Sequence, residues 1–283
     1  MAECEVCFRH CNLKEGQIGF CGGRICADGN VVAANYGRIT SAALDPIEKK
    51  PLQRFHPGAK ILSVGSYGCN LRCPFCQNYE ISWSKQAMTR ANDAEYLSPE
   101  ELVRMALELR IRGNIGIAFT YNEPLIGYEF VRDTAKLTHE NGLLNVLVTN
   151  GTATLRVLDE IGPYIDAMNI DLKAFSERFY NNWIQGDFAM TKAFIEGAVK
   201  LCHVELTTLI IPGENDSEEE MRELTSWVSG LQGKVPGKEI PLHVTRFFPR
   251  FHVTDRGPTP VQTVLRLADV AREKLNYVYT GNI

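Results

Sequence analysis

The chain has 283 residues, 45% of them hydrophobic, and a net charge of −4, which fits one large domain or a domain with an appendage. The mild acidity lacks the basic footprint of a general nucleic-acid binder, no apolar run approaches the ~20 residues that cross a bilayer, and the polar start "MAECEVCFRH" has no secretory apolar stretch. Nine cysteines, eight of them in the first 76 residues, do not read as the disulfide framework of a small secreted protein, so a cytoplasmic protein with thiols gathered for metal is expected.

Residues 1–30 are rich in Cys and Gly. Cys4, Cys7, Cys11 and Cys21 form a Cx2C, Cx3C, Cx9C array, with His10 inside it and Cys26 just after. A few buried thiols would be an odd use of so small and polar a segment. Four thiolates can instead close a tetrahedral zinc site, which would fold a segment too small to bury a core. They can equally hold a second iron–sulfur cluster for electron delivery. The glycines and turn residues of "CNLKEGQIGFCGG" favour zinc, and His10 either replaces one thiol or is only a neighbour. A hairpin-like passage, "VVAANYGRITSAALDP", and the charged turn "IEKKP" follow. The expected division is a Cys-rich metal-binding segment and hairpin over 1–55 and a core over 56–283. Glu48, Lys49 and Lys50 form a solvated turn, or touch substrate if the segment folds over the mouth of the core.

"SVGSYGCNLRCPFCQN", residues 63–78, packs Cys69, Cys73 and Cys76 into eight positions. Their spacing would suit one face of a helix, but Pro74 would break that helix, and Gly65, Gly68 and Asn70 prefer turns. The stretch therefore reads as a strand followed by a loop that carries three thiols. From here apolar strand-length runs alternate with helices: "ILSVG", "IGIAFT", "LLNVLVTN", "DAMNIDLK", "VELTTLII" and "LHVTRFF". Between them, "SPEELVRMALELRIRG" has Ser98 as N-cap, Pro99 in the first turn, Glu101 completing a capping box and Gly113 past its end. "EPLIGYEFVRDTAKLTHENG", "DSEEEMRELTSWVSG" and "TPVQTVLRLADVAREKL" are further helices. About six β/α units imply a parallel sheet, open or closed into a barrel, with function at the carboxyl ends of the strands.

Those ends carry the unusual polar groups. After the three cysteines come Asn122 and Glu123 in "TYNEP", Thr149 and Asn150 in "VTNG", and Asp171 and Lys173 in "NIDLK". Soft thiolates select zinc, copper(I) or iron–sulfur. Structural zinc wants four ligands, and no fourth Cys or His follows nearby. A four-iron cluster on three cysteines keeps one iron open to an outside ligand.

Cys69-x3-Cys73-x2-Cys76, with Phe75 before the last cysteine, resembles the signature of radical S-adenosylmethionine (SAM) enzymes. In that family the open iron binds SAM, and reductive cleavage yields a 5′-deoxyadenosyl radical that abstracts hydrogen. "TYNEP" is similar to the family's Gly-Gly-Glu segment, which makes Glu123, with Asn122, the acceptor for the SAM amino group; Tyr121-Asn122 stand where the family has two glycines. "TNG" and "DLK" resemble segments of the glycyl-radical-enzyme activating enzymes. They imply that Thr149 and Asp171, with Asn150 and Lys173, serve the SAM carboxylate side and a nearby monovalent cation. "NYGRITSAALDPIEKKPL", "GCNLRCPFCQN", "NIDLKAFSERFY", "TTLIIPGEND" and "RFFPR" together resemble the AmmeMemoRadiSam branch, similar to pyruvate formate-lyase activating enzyme. The resemblance spans nearly the whole chain. It implies a partial (β/α)6 TIM-like barrel, a [4Fe–4S] cluster at Cys69, Cys73 and Cys76, a flavodoxin or ferredoxin as electron donor, and a Memo-like partner protein.

The leading expectation is an anaerobic radical SAM oxidoreductase acting on a small molecule. The alternatives are an activating enzyme that makes a glycyl radical on a partner protein, and a zinc-dependent binding module without catalysis. Cys202 reads as an inert buried thiol and His139 as a partner of its helix's negative end. His203 is left open. His243 and His252 flank the sixth strand, where either is a candidate to position substrate or donate a proton. Of adjacent Thr207 and Thr208, only one can face a barrel interior.

Overall fold

The computed structural model describes residues 1–283, apart from the side chains of residues 88–90 and 92. Eight strands form one sheet in sequence order: β1 (Ser41–Pro46), β2 (Lys60–Gly65), β3 (Asn114–Phe119), β4 (Leu144–Thr149), β5 (Ala167–Asp171), β6 (His203–Ile210), β7 (Leu242–Arg246) and β8 (Val278–Gly281). β1 runs antiparallel to β2, with Ser41 opposite Gly65 and Pro46 opposite Lys60. Every other neighbouring pair is parallel. The crossovers from β2 to β8 carry α1 (Pro99–Glu108), α2 (Tyr128–Glu140), α3 (Leu155–Ile161), α4 (Phe188–Leu201), α5 (Glu218–Ser229) and α6 (Val261–Arg272). Six β/α units in series make the partial (β/α)6 barrel, and all six expected strands are present.

Local chemistry sets the boundaries. Ser98 accepts from the Glu101 amide while Glu101 reaches back to the Ser98 amide, the reciprocal cap expected for α1. Gly113 takes the left-handed conformation (φ 88°) that ends the following turn. β2 and β3 slip register between Lys60 and Leu62, and the Asn114 side chain fills the gap: its oxygen accepts from the Leu62 amide at 2.7 Å, and its nitrogen donates to the Ala106 carbonyl at 2.8 Å.

The sheet is covered on both faces. Ile117 and Phe119 pack outward into the main core beneath the helices, whereas Ala118 between them faces inward. Ile61, Ala118, Val146 and Ala167, from four neighbouring strands, form a separate buried cluster with Ile47 and Leu52. The first part of the connection from β1 to β2 thus sends Ile47 and Leu52 into the barrel. The fully buried Glu205 carboxylate accepts from the Gln53 and Arg54 amides at 3.0 and 2.7 Å, and the Asn169 side chain donates to the Pro51 carbonyl at 2.8 Å. Burying Ile47 and Leu52 stabilises this arrangement by roughly 1.5–3 kcal/mol each.

Several expectations change. The division placed at residue 55 cuts through the sheet, because β1 and the inner segment 47–55 belong to the barrel. The hairpin-like passage 31–46 is not one hairpin: Asn30–Ala33 pairs with Arg24–Ala27, Arg38–Ile39 pairs with Glu95–Tyr96, and β1 pairs with β2. Lys50 does not cover the mouth; it is buried, with its ammonium 3.0 Å from Asp45, while Lys49 stays exposed 3.3 Å from the same carboxylate. Glu48 accepts from the Gly58 amide at 2.6 Å. Among the described residues, no helix is long and apolar enough to cross a membrane.

Candidate active site

The loop after β2 carries Cys69, Cys73 and Cys76, as expected. Gly68 opens it at φ 93°, where a side chain would meet the Cys21 carbonyl at 2.6 Å. The Cys69 amide then donates to that carbonyl at 3.0 Å. Phe75 is buried with its ring 5.4 Å from Trp183, which anchors the loop between the second and third thiols. The Trp83 indole donates to the Cys73 carbonyl at 3.3 Å and the Asn78 side chain to the Tyr121 carbonyl at 2.7 Å.

One cavity of about 310 Å³ opens at the strand ends, and all nine residues anticipated there line it: Cys69, Cys73, Cys76, Asn122, Glu123, Thr149, Asn150, Asp171 and Lys173. This volume lies at the small-molecule end of ligand sites. Glu123 accepts from the Leu125 amide at 3.0 Å and the Thr149 hydroxyl at 2.7 Å on one oxygen, and from the Asn150 amide at 2.8 Å on the other. A carboxylate offers about four acceptor positions, so one stays open on Oε2. Burial pushes the Glu123 carboxyl up to about 7, against the lowering effect of those three donors. Asn122 is turned to the loop instead, donating to the Tyr67 and Gly68 carbonyls at 3.1 Å and accepting from the Ser66 amide at 3.0 Å.

Tyr121 explains how this chain dispenses with a glycine. Its φ of 71° is left-handed, which costs an ordinary residue roughly 1–2 kcal/mol. Its hydroxyl donates to Asp45 at 2.8 Å, the Lys50 ammonium lies 4.6 Å from its ring centre, and its Cβ packs against Gly65, where an added Cβ would sit 2.9 Å away. These contacts hold the conformation that glycine reaches freely.

Across the cavity, the Lys173 ammonium lies 2.9 Å from Asp171. Burial alone would lower Lys173, but the charges of Asp171 and Cys73 outweigh it and raise it. Burial pushes the Cys73 thiol up to about 12 and also raises Cys69 and Cys76. Thiols that burial makes reluctant to ionise suit a cationic iron centre, which deprotonates its thiol ligands. Among the described residues no three His, Cys, Asp or Glu side chains are placed to hold a single ion.

The histidines are elsewhere. His243 is buried, with Nε2 2.7 Å from Glu205, and His203 approaches the same carboxylate at 3.0 Å. Both belong to the anchor of the inner segment, which removes His243 as a substrate residue. His252 packs on Phe251 and Trp83 rather than in the cavity. His139 meets Asp166 at 2.8 Å, and Cys202 is buried as expected. Thr207 faces the cavity and Thr208 does not, donating instead to the Leu172 carbonyl at 2.8 Å. Pro51, Leu209, Thr245 and Asn282 also line the wall. Period-two alternation along β6 and β7 was the signal for Thr207, Leu209 and Thr245, whereas Pro51 and Asn282 had none.

A barrel that gathers three loop thiols and a buried glutamate at its strand ends defines a radical SAM protein, and the profile of the Radical SAM superfamily matches residues 63–225. The chain belongs to that superfamily, whose members are enzymes that use a [4Fe–4S] cluster and SAM; this removes the reading as a non-catalytic zinc module. It is 38% identical to an uncharacterized protein of Methanocaldococcus jannaschii, over 99% of this chain and 81% of that protein. It is 27% identical to the pyruvate formate-lyase-activating enzyme of Clostridium pasteurianum, over 66% of this chain and 76% of that one. Among solved structures, QueE from Escherichia coli shares the fold with a TM-score of 0.51 at 13% identity, covering 87% of this chain and 92% of that one.

Proposed function

We propose that the chain cleaves SAM at a cluster held by Cys69, Cys73 and Cys76 and directs the product radical onto a small molecule. When bound, the reduced cluster supplies the electron that splits SAM into methionine and a 5′-deoxyadenosyl radical. The protein's share is to bind, orient and exclude water. The open position on Glu123 takes one N–H of the SAM ammonium, while Thr149 and Asn150 hold the carboxylate in place and Asn122 holds the loop beneath it. Lys173 faces the SAM carboxylate, and Asp171 fixes Lys173; its ammonium, 2.9 Å from Asp171, supplies the charge that a separate monovalent cation would bring. Thr207, Leu209 and Thr245 bound the space left for substrate.

The observation that carries the small-molecule reading is the floor. Pro51 lines the cavity and Ile47 and Leu52 fill the barrel below it, so the inner segment limits the space left for substrate. Residues 1–40 form the metal-binding extension and 41–283 the catalytic core. The resemblance of the stretches quoted above supports membership of the AmmeMemoRadiSam branch, with a Memo-like protein as partner and a flavodoxin or ferredoxin as donor. The second reading, an activating enzyme acting on a partner protein, is favoured by the likeness to the Clostridium pasteurianum enzyme. The test is 5′-deoxyadenosine formation by anaerobic, reduced protein supplied with small-molecule or protein fractions of its host. Stimulation by the protein fraction alone would replace the first reading with the second.

Glu123→Gln keeps the shape and removes the charge. Losing one charge-assisted hydrogen bond of about 1.5–3 kcal/mol is expected to weaken SAM binding by roughly tenfold to a hundredfold, measured by equilibrium dialysis. Unchanged affinity would remove Glu123 from the SAM site.

A further inference from the structure

The amino-terminal extension lays two side chains, Arg9 and Phe20, against the loop that carries the cluster thiols. Cys4, Cys7, Cys11 and Cys21 gather around a space of about 10 Å³ that Arg9 also borders, and His10 turns to Glu3 at 3.3 Å. Arg9 donates to the Asn70 carbonyl at 3.3 Å and to the Gln185 carbonyl. Arg72, within the cluster loop, donates to the Cys69 and Leu71 carbonyls at 2.9 and 2.8 Å and to the Phe20 carbonyl. The two guanidinium groups each lie 3.7 Å from the centre of the Phe20 ring, within the reach of a cation–π contact. Phe20 itself is 38% exposed.

These charges have no acidic counterpart in the fold. Among the described residues neither Arg9 nor Arg72 pairs with a carboxylate, and nor does Lys85, which is exposed two residues beyond Trp83. Elsewhere the chain is acidic, with a net charge of −4. An acidic partner is therefore repelled by most of the surface and drawn to this part of it.

The same face backs onto the cluster loop. A hollow of about 40 Å³ is lined there by Phe20, Cys21, Gly68, Arg72, Ser82 and Trp83. Its wall contacts each of the three cysteines. The Cys21 carbonyl accepts from the Cys69 amide at 3.0 Å, the Trp83 indole donates to the Cys73 carbonyl at 3.3 Å, and the Ser82 side chain hydrogen-bonds the Cys76 thiol. Ser82 also lines the strand-end cavity, so the loop separates the hollow from the space assigned to SAM. An electron can arrive on this side without displacing SAM or substrate.

We propose that the face formed by Arg9, Phe20, Arg72, Trp83 and Lys85 docks an acidic flavin-carrying protein that reduces the cluster. The exposed ring of Phe20 offers an apolar contact to a redox group that is itself an aromatic ring, and the surrounding cations meet the carboxylates at its rim. The face is small, as suits a redox encounter that must also dissociate. One electron passes: the flavin is oxidised by one, the cluster is reduced by one, and no covalent bond is made or broken. The docking rests on the radical SAM reading.

The test compares two reductants on the reconstituted full chain. Stopped-flow absorbance follows reduction of the cluster by fully reduced flavodoxin at low and high salt, and 5′-deoxyadenosine formation is measured with dithionite, which is too small to need a docking surface. Arg9→Gln/Lys85→Glu should slow reduction by flavodoxin about tenfold at low salt, with the gap narrowing at high salt. Dithionite should drive parent and variant alike. Equal rates with flavodoxin would overturn the docking face. Loss of the dithionite reaction in the variant would also overturn it, because the residues would then hold the cluster rather than receive a donor. The expected charge dependence appearing with a ferredoxin and not with flavodoxin would overturn the flavin carrier. A parent inert with dithionite would instead remove the radical SAM reading, and the docking with it. Should the double variant not fold, Lys85→Glu alone, at an exposed position, gives the same comparison with a smaller gap.

Discussion

Cys73→Ala is expected to reduce 5′-deoxyadenosine formation to the level of a blank, with folding intact by thermal melt. The sulfur of Cys73 is buried in the wall of the strand-end cavity, beside the Lys173 charge that lowers its otherwise raised pKa. Its backbone carbonyl is pinned by the Trp83 indole, and the neighbouring Phe75 by Trp183, so the loop keeps its course when the sulfur is removed. Changes one shell away from a metal typically cost about 10–100-fold; removal of a ligand must cost more, because only three are available. Cys69→Ala and Cys76→Ala should behave alike. Cleavage retained by all three variants would overturn the assignment of the cluster to this loop.

Glu205→Gln should lose about 3 kcal/mol of stability at neutral pH, with the parent's advantage disappearing in acid. A carboxylate can only accept, and this one accepts from two backbone amides and two imidazoles. Burial alone would raise its pKa, but donation from His203 and His243 and then from Gln53 and Arg54 outweighs it and holds the group at about 2, below its ordinary 4.5. A depressed carboxyl stabilises the fold fully above its unfolded pKa and loses that contribution as pH falls towards the folded value. The difference between parent and variant should therefore be constant above about pH 5 and shrink between 4.5 and 2. Urea unfolding at a series of pH values measures it. A gap that stays constant down to pH 3 would show that Glu205 acts by shape alone.

Much of this was legible in the chain itself. β2 to β7 announce themselves as strand-length apolar runs, and α1 by a capping box that the structure reproduces atom for atom. The three thiols and the six polar residues at strand ends could be placed together because parallel β/α folds bring those ends to one side. What stayed hidden was non-local. "SAALDP" has strand length but no apolar pattern of its own, since its pairing with β2 supplies the order. α3 is too short to show periodicity, and α4 mixes small and apolar residues on all sides. Lys50 looked solvated because its neighbours are charged; only the fold reveals that Asp45 and Tyr121 receive it. His243 sits on a functional-looking strand, but near its beginning, where side chains serve the barrel's interior rather than its mouth.

The inner segment bears on how the molecule opens. It has no strand of its own and would pass for a surface loop in a secondary-structure string, yet the amide protons of Gln53 and Arg54 are held by a carboxylate enclosed by the sheet. A true surface loop exchanges its amides with solvent through small local fluctuations, whereas these two must first break hydrogen bonds to a fully buried carboxylate. Their deuterium uptake should be as slow as that of β4 and β5, and should track global unfolding as denaturant is added.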